Sequence, residues 1–244
     1  MKILYLDTSS KYLSLAVAQD NKVLSRTHRQ LDRRHSAQLA CLIDKMLKRA
    51  KVSLKEIDGF CVSKGPGSFT GLRIGITTIK GLAYVLQKPV VAVPSLDILA
   101  QNARAVINRR LSLPLQVCPI VDARQNKVYA CLYQARPVKK GFSNGAGNGK
   151  VIRKSGYLLL PIAELLKKLK GEVLFLGDAI SVYGEEIRKA KGIKAVFAGE
   201  KFWYPRASQA VPLALERFRT GKVDDTDSLV PLYLYPKTCQ VKKA

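Results

Sequence analysis

The sequence predicts a two-lobed α/β fold made by duplicating one β-β-β-α-β-α unit. Three observations carry this. Strand-like apolar runs alternate with amphipathic helical runs along the chain. ILYLDTSSKYLSLAVA and PIVDARQNKVYACLY share a plan: an apolar strand ending in Asp, a four-residue polar turn, then an alternating strand. After each, the pattern continues strand, helix, strand, helix.

The elements follow in order. Residues 2–7 read as a buried strand, 12–19 as an alternating strand, and 22–29 as its hairpin partner across Asp20-Asn21. Next, Leu39, Leu42, Ile43, Met46, Leu47 and Ala50 recur with helical spacing, and Ser36 is placed to cap that helix. GFCVS (59–63) is a short buried strand. The glycine-rich stretch KGPGSFTGLRIGITT opens a helix running to about Gln87, and Pro89 ends it before the strand VVAV. Ser95 caps a further helix. The second cycle has a strand at 116–122, an alternating strand KVYACLYQ, a glycine-rich loop at 137–150, a strand VIRKSGYL, a helix PIAELLKKLK and a buried strand EVLFLG. These place a first lobe at 1–105, a second at 106–207, and a segment at 208–244 that packs back toward the first and ends in a frayed tail.

With 244 residues, 47% of them apolar, the chain can bury a sizeable core. Its apolar runs are short and interrupted, so no membrane span is expected, and MKILYLDTSS lacks the features of a signal peptide. Five scattered cysteines without a CxxC point to reduced thiols and a cytoplasmic setting. The 42 Lys and Arg against 18 Asp and Glu give a formal charge of +24, a field that attracts polyanions. The basic residues are spread along the chain, and no RNA-binding signature with interleaved aromatics is present.

GPGSFTGLRIG is not a phosphate-binding P-loop, because Leu72-Arg73 follows the glycine where Lys-Ser/Thr would stand. Gly65-Pro66-Gly67 makes a tight turn that can still hold an anion, and Ser68 or Thr70 can cap the helix. On a helix wheel the apolar residues of 70–87 cover an arc of roughly 200°, about twice what a surface helix needs. Such a helix is covered on more than one side. Gly71 and Gly75, four apart, read as room for a partner's backbone. Ala37, Ala40 and Cys41 extend a surface of small residues on the preceding helix.

The duplicated unit resembles the actin-like ATPase (ribonuclease H-like) superfamily. DTSS at 7–10, GPGSFTGLRIG at 65–75, VDARQNKVYACLY at 121–133 and LVPLYL at 229–234 are similar to the TsaB (YeaZ) family over essentially the whole chain. That resemblance implies a non-catalytic partner of TsaD, the enzyme that threonylcarbamoylates adenosine 37 of ANN-decoding tRNAs. It implies a heterodimer with TsaD through the two N-terminal helices, contact with TsaE and with tRNA through the complex, and a homodimer when TsaD is absent. The partner-binding residues are then His35, Leu39, Leu42 and Met46 on the first helix, and Gly71, Leu72, Gly75, Ile76 and Ile79 on the second. In the superfamily the two Asp-bearing hairpins hold nucleotide phosphates and a metal ion. Here Asp7, Thr8, Ser9, Gly65, Gly67 and Asp122 stand at such positions as a vestigial site, with no cofactor expected beyond weak ATP or ADP binding. The HxxxH metal pair of TsaD is absent, since Leu39 follows His35 at that spacing, and no catalytic or metal-binding residue is expected. The alternatives are a small ATP-dependent kinase or hydrolase of the superfamily, or a stand-alone basic tRNA-binding protein.

Overall fold

The computed structural model describes residues 1–30, 35–107, 114–137 and 149–235. Apart from its ends, the glycine-rich loop expected at 137–150 lies outside the described residues. So do Arg33, Arg34, Arg109, Arg110 and the tail from 236, and the side chains of His35, Ser36 and Ala37. The chain forms two compact units: Met1–Asn102 with Lys201–Pro231, and Ala103–Glu200 with the stretch from Leu232.

In the first unit, β1 (Lys2–Asp7), β2 (Tyr12–Gln19), β3 (Lys22–Gln30), β4 (Gly59–Ser63) and β5 (Val90–Val93) form a sheet in the order β3-β2-β1-β4-β5. The hairpin strands β1, β2 and β3 pair antiparallel, whereas β1, β4 and β5 pair parallel. Parallel strands are covered on both faces, and every residue of β4 and β5 is buried. Strand alternation divides the core in two. Leu4, Leu6, Leu13, Leu15 and Val17 face α1 (His35–Ala50) and α2 (Phe69–Leu86), meeting Leu39, Ile43, Met46, Leu47, Ile76 and Ile79. Ile3, Tyr5, Ala16 and Ala18 face the other way, where Ile98 of α3 (Ser95–Gln101) joins them.

The helix expected from Ser95 onward breaks at Asn102. This residue is 1% exposed, and its side-chain amide donates to the carbonyls of Phe202 (3.0 Å) and Tyr204 (2.9 Å). A buried amide finds partners, and here the partners are the segment that returns to the first unit.

The second unit holds α4 (Ala103–Val106), β6 (Leu115–Asp122), β7 (Lys127–Ala130), β8 (Tyr133–Pro137), β9 (Gly149–Arg153), β10 (Leu158–Pro161), α5 (Ile162–Leu166), β11 (Gly171–Leu176), α6 (Ile180–Lys189) and β12 (Ile193–Phe197). KVYACLYQ was expected as one strand but is interrupted at Cys131-Leu132, giving β7 and β8. There the Leu132 N–H leaves the ladder for the Ser155 hydroxyl (2.9 Å), and its carbonyl accepts from the Lys154 N–H (2.7 Å). The third strand divides at the same level into β9 and β10. With each broken pair taken as one strand, the order repeats that of the first sheet: third, second, first, fourth, fifth. This is the duplicated α/β architecture that the sequence predicts.

After β12 the chain enters α7 (Ala207–Arg219), which lies on the Ile3–Tyr5 face of the first sheet. Ala207, Ala210 and Ala214 let the helix approach closely, and the Ala207 N–H donates to Ser14 Oγ (2.9 Å). Asp224 then closes the β5 edge, accepting from the Ala92 N–H (2.8 Å) and from Arg217 (2.9 Å).

Candidate functional site

The Asp-Thr-Ser-Ser turn between β1 and β2 lies against the start of α2. Asp7 points inward and is 1% exposed. Its Oδ1 accepts from the Ser9 N–H and the Ser9 hydroxyl, both at 2.8 Å, and its Oδ2 accepts from the Tyr5 hydroxyl at 2.9 Å. Burial pushes this carboxyl above the usual carboxylate range, while hydrogen bonds from Ser9, Tyr5 and Ser63 pull it back. Thr8 donates its hydroxyl to the Gly71 carbonyl (2.6 Å), and the Ser9 carbonyl accepts from the Ser68 N–H (2.7 Å). Ser68 caps α2 by accepting from the Gly71 N–H (3.2 Å). The hydroxyls and the carboxylate that a phosphate or metal would need are therefore engaged within the unit.

The glycines explain why this packing is possible. A Cβ at Gly67 would sit on the Ser9 carbonyl oxygen, one at Gly71 on the Thr8 carbonyl oxygen, and one at Gly75 on Thr8 Oγ1. The room read as belonging to a partner's backbone is filled by Thr8 and Ser9 of the same unit, which corrects that expectation. Gly65 accepts from the Ser95 N–H (2.8 Å), so the same loop also ties α2 to α3.

The residues expected on the partner-binding surface divide in the same way. Leu39, Met46, Leu72, Ile76 and Ile79 have buried side chains in the first unit's own core, and Leu42 is half-buried beside them. The helical spacing found the face directed at the sheet. The opposite face of α2 carries Phe69, Tyr84 and Val85, which are 54%, 74% and 78% exposed, with Arg73, Thr77 and Gly81 between them. The Arg73 guanidinium lies 3.9 Å from the centre of the Phe69 ring. Ala40 and Cys41 of α1 are exposed as well. Val85 belonged to the wide apolar arc, but the arc alone did not say which part of it the sheet would cover.

Asp122, the counterpart of Asp7, is half-buried. It accepts from the Arg124 N–H (2.9 Å) and pairs with the Arg124 side chain at 3.6 Å, while its own N–H donates to Asp178 Oδ1 (3.1 Å). Gly177 precedes this Asp178, and a Cβ there would meet the Ile120 carbonyl. Sequence reasoning missed this pair. No group of three metal-ligating side chains occurs among the described residues, and no described helix is long and apolar enough to cross a membrane. His28 is half-buried; burial, then the nearby Arg206, pushes its imidazole down to about 4.

Comparison with known proteins places the chain. The family model for tRNA N6-adenosine threonylcarbamoyltransferase, TsaD, matches residues 22–242. The TsaD of Kosmotoga olearia itself is 32% identical but aligns with only 38% of this chain and 33% of its own length. The tRNA threonylcarbamoyladenosine biosynthesis protein TsaB of Bacillus subtilis is 32% identical over 96% of this chain and 94% of its own. The chain belongs to the TsaB family. The TsaB of Escherichia coli is 29% identical with the same coverage. The solved structure of YeaZ from Pseudomonas aeruginosa superimposes with a TM-score of 0.74 at 26% identity, covering 96% of this chain and 99% of that one. The hairpin turn, the glycine-rich loop and the helix it opens thus lie within a match that spans a TsaB chain almost from end to end.

Proposed function

We propose that this chain is a non-catalytic accessory subunit for N6-threonylcarbamoylation of adenosine 37 in ANN-decoding tRNAs, working in the cytoplasm as a partner of TsaD. One observation carries the reading: the first unit closes its own phosphate-like turn with α2 and leaves the other face of that helix apolar and exposed at Phe69, Tyr84 and Val85. A surface of aromatic and aliphatic side chains interleaved with Arg73, Thr77 and Gly81 suits a helix from another protein. In this reading TsaD covers that face and performs the transfer, TsaE and tRNA join the assembled complex, and a second copy of the chain covers the face when TsaD is absent. Asp7, Thr8 and Ser9 serve the fold, so no nucleotide is required by this subunit.

The test is co-expression with TsaD of the same organism, followed by size exclusion and a tRNA modification assay with and without the chain. A stable heterodimer and modification that depends on the chain are expected. A chain that migrates alone and leaves modification unchanged contradicts the proposal. The kinase or hydrolase alternative requires tight, stoichiometric binding of ATP with Mg²⁺ in calorimetry.

A further inference from the structure

Three segments far apart in sequence meet at one corner of the first unit. Lys11 precedes β2 and Tyr12 opens it, Arg26 and His28 lie on the edge strand β3, and residues 201–206 lead into α7. The sheet register pairs Ser14 with His28 and Ala16 with Arg26, so Arg26 and His28 share one face of β3. The rings of Tyr12 and His28 stack with centres 4.8 Å apart and planes 3° from parallel, and Tyr204 packs on Tyr12 at 4.6 Å. The Lys11 ammonium lies 5.2 Å from the Tyr204 ring and 5.9 Å from that of Tyr12. Phe202 has Lys201 at 5.1 Å and Arg206 at 5.9 Å.

Some cations of the unit are paired with acids and others are not. Lys2, Lys48 and Arg217 each meet a carboxylate. Among the described residues, Arg26 and Arg206 meet none. Burial, then the neighbouring charge of Arg26, lowers the proton affinity of Arg206. The proximity of Arg26 to Arg206 is unfavourable for the isolated unit, and a polyanion relieves it. His28, with its pKa near 4, stands among them at neutral pH as an uncharged ring.

From this clustering of Lys11, Arg26, Lys201 and Arg206 with the rings of Tyr12, His28 and Phe202, we infer that the corner is an RNA-binding surface for an unpaired segment of the tRNA. The cations neutralise phosphates, Tyr12 backs His28, and the half-exposed rings of His28 and Phe202 offer stacking faces to bases that are not already stacked in a duplex. The inference rests on the reading of the chain as a subunit that acts on tRNA, and it assigns part of the tRNA contact to this chain.

The test measures binding of unmodified tRNA transcript at several salt concentrations, by the chain alone and by its mixture with TsaD. The triple variant Lys11→Glu, Arg26→Glu, Lys201→Glu is compared with a control of equal charge on the second unit, Lys167→Glu, Lys168→Glu, Lys170→Glu; all six lysines and arginines are exposed. The corner triple is expected to weaken binding about tenfold or more and to flatten the salt slope by about 2 to 3, with the control well below that. An anticodon stem-loop is expected to compete better than a blunt duplex of equal phosphate number. Equal losses in the two triples mean a diffuse field and overturn the inference, as does equal competition by the duplex. A corner triple that keeps tRNA binding but loses TsaD marks a protein interface instead, and also overturns it. Failure of the wild-type chain to associate with TsaD counts against the accessory-subunit reading alone, because binding by the isolated chain is read separately.

Discussion

Asp7 ends β1 and Asp122 ends β6 at matching points of the two duplicated hairpins, yet their surroundings differ. Asp7 is sealed, with Ser9 and Tyr5 donating to it. Asp122 sits at a partly exposed rim, and its side chain is engaged with Arg124 of the next turn. The helix after the fourth strand accounts for the difference. In the first unit it is the 18-residue α2, whose approach to Thr8 and Ser9 passes over Gly67, Gly71 and Gly75. In the second it is the ten-residue α6, which begins after Gly177 over the Ile120 carbonyl and reaches the hairpin through Asp178. One plan thus yields a hairpin packed along a long helix and a hairpin that a shorter helix meets at Gly177 and Asp178.

The largest effects are expected where a methyl group would meet backbone. Gly177→Ala combines a clash at Ile120 with a positive φ and is expected to cost about 3–5 kcal/mol. Gly71→Ala gains about 1 kcal/mol of helix propensity but collides with the Thr8 carbonyl, for a net cost of about 2–4 kcal/mol. Gly81→Ala, with nothing within 4 Å of its Cβ, is expected to stabilise by about 1 kcal/mol. Urea midpoints of the three variants check this; equal shifts at Gly71 and Gly81 would mean that the hairpin does not rest on α2.

The carboxylates come next. Asp7→Ala strands the Ser9 N–H and the Tyr5 hydroxyl and is expected to cost about 2–3 kcal/mol, against about 1 kcal/mol or less for Asp122→Ala. Asp7→Asn, which keeps an acceptor, falls between wild type and alanine in the same unfolding assay.

A smaller effect belongs to His28. Its pKa in the folded chain, near 4, lies below the ordinary 6.5, so the folded state resists the proton that the unfolded chain accepts. The His28 contribution is complete above about pH 6.5 and is lost as pH falls toward about 4. For a half-exposed ring, solvent screening leaves a difference of about 1 kcal/mol between wild type and His28→Gln over that window. Parallel melting curves at pH 7 and pH 5 read it.

Much of the fold was legible in the sequence. Period-2 and period-3.6 patterns located the strands and the long helices, and the repeated strand-Asp-turn-strand plan exposed the duplication. The breaks at Asn102 and at Cys131-Leu132 were not legible, since each depends on a side chain distant in sequence: the Asn102 amide seeks the carbonyls of Phe202 and Tyr204, and Ser155 captures Leu132. The candidate site was legible in its location and misread in its direction. Gly71 and Gly75 signal close approach, but not of what, and only the fold shows that Thr8 takes the space. The corner around Tyr12 and His28 was hidden for a similar reason, because its cations and rings come from three separate segments.

The central claim is that α2 turns its glycines and its Leu72–Ile79 face inward and offers Tyr84 and Val85 to a partner. The most direct test is the double variant Tyr84→Glu, Val85→Glu, assayed by co-purification with TsaD and by urea unfolding. Both side chains are exposed, at 74% and 78%, so the unfolding midpoint is expected to hold while TsaD association falls about a hundredfold or more, as for charges placed in an interface core. Undiminished association at an unchanged midpoint would contradict the claim.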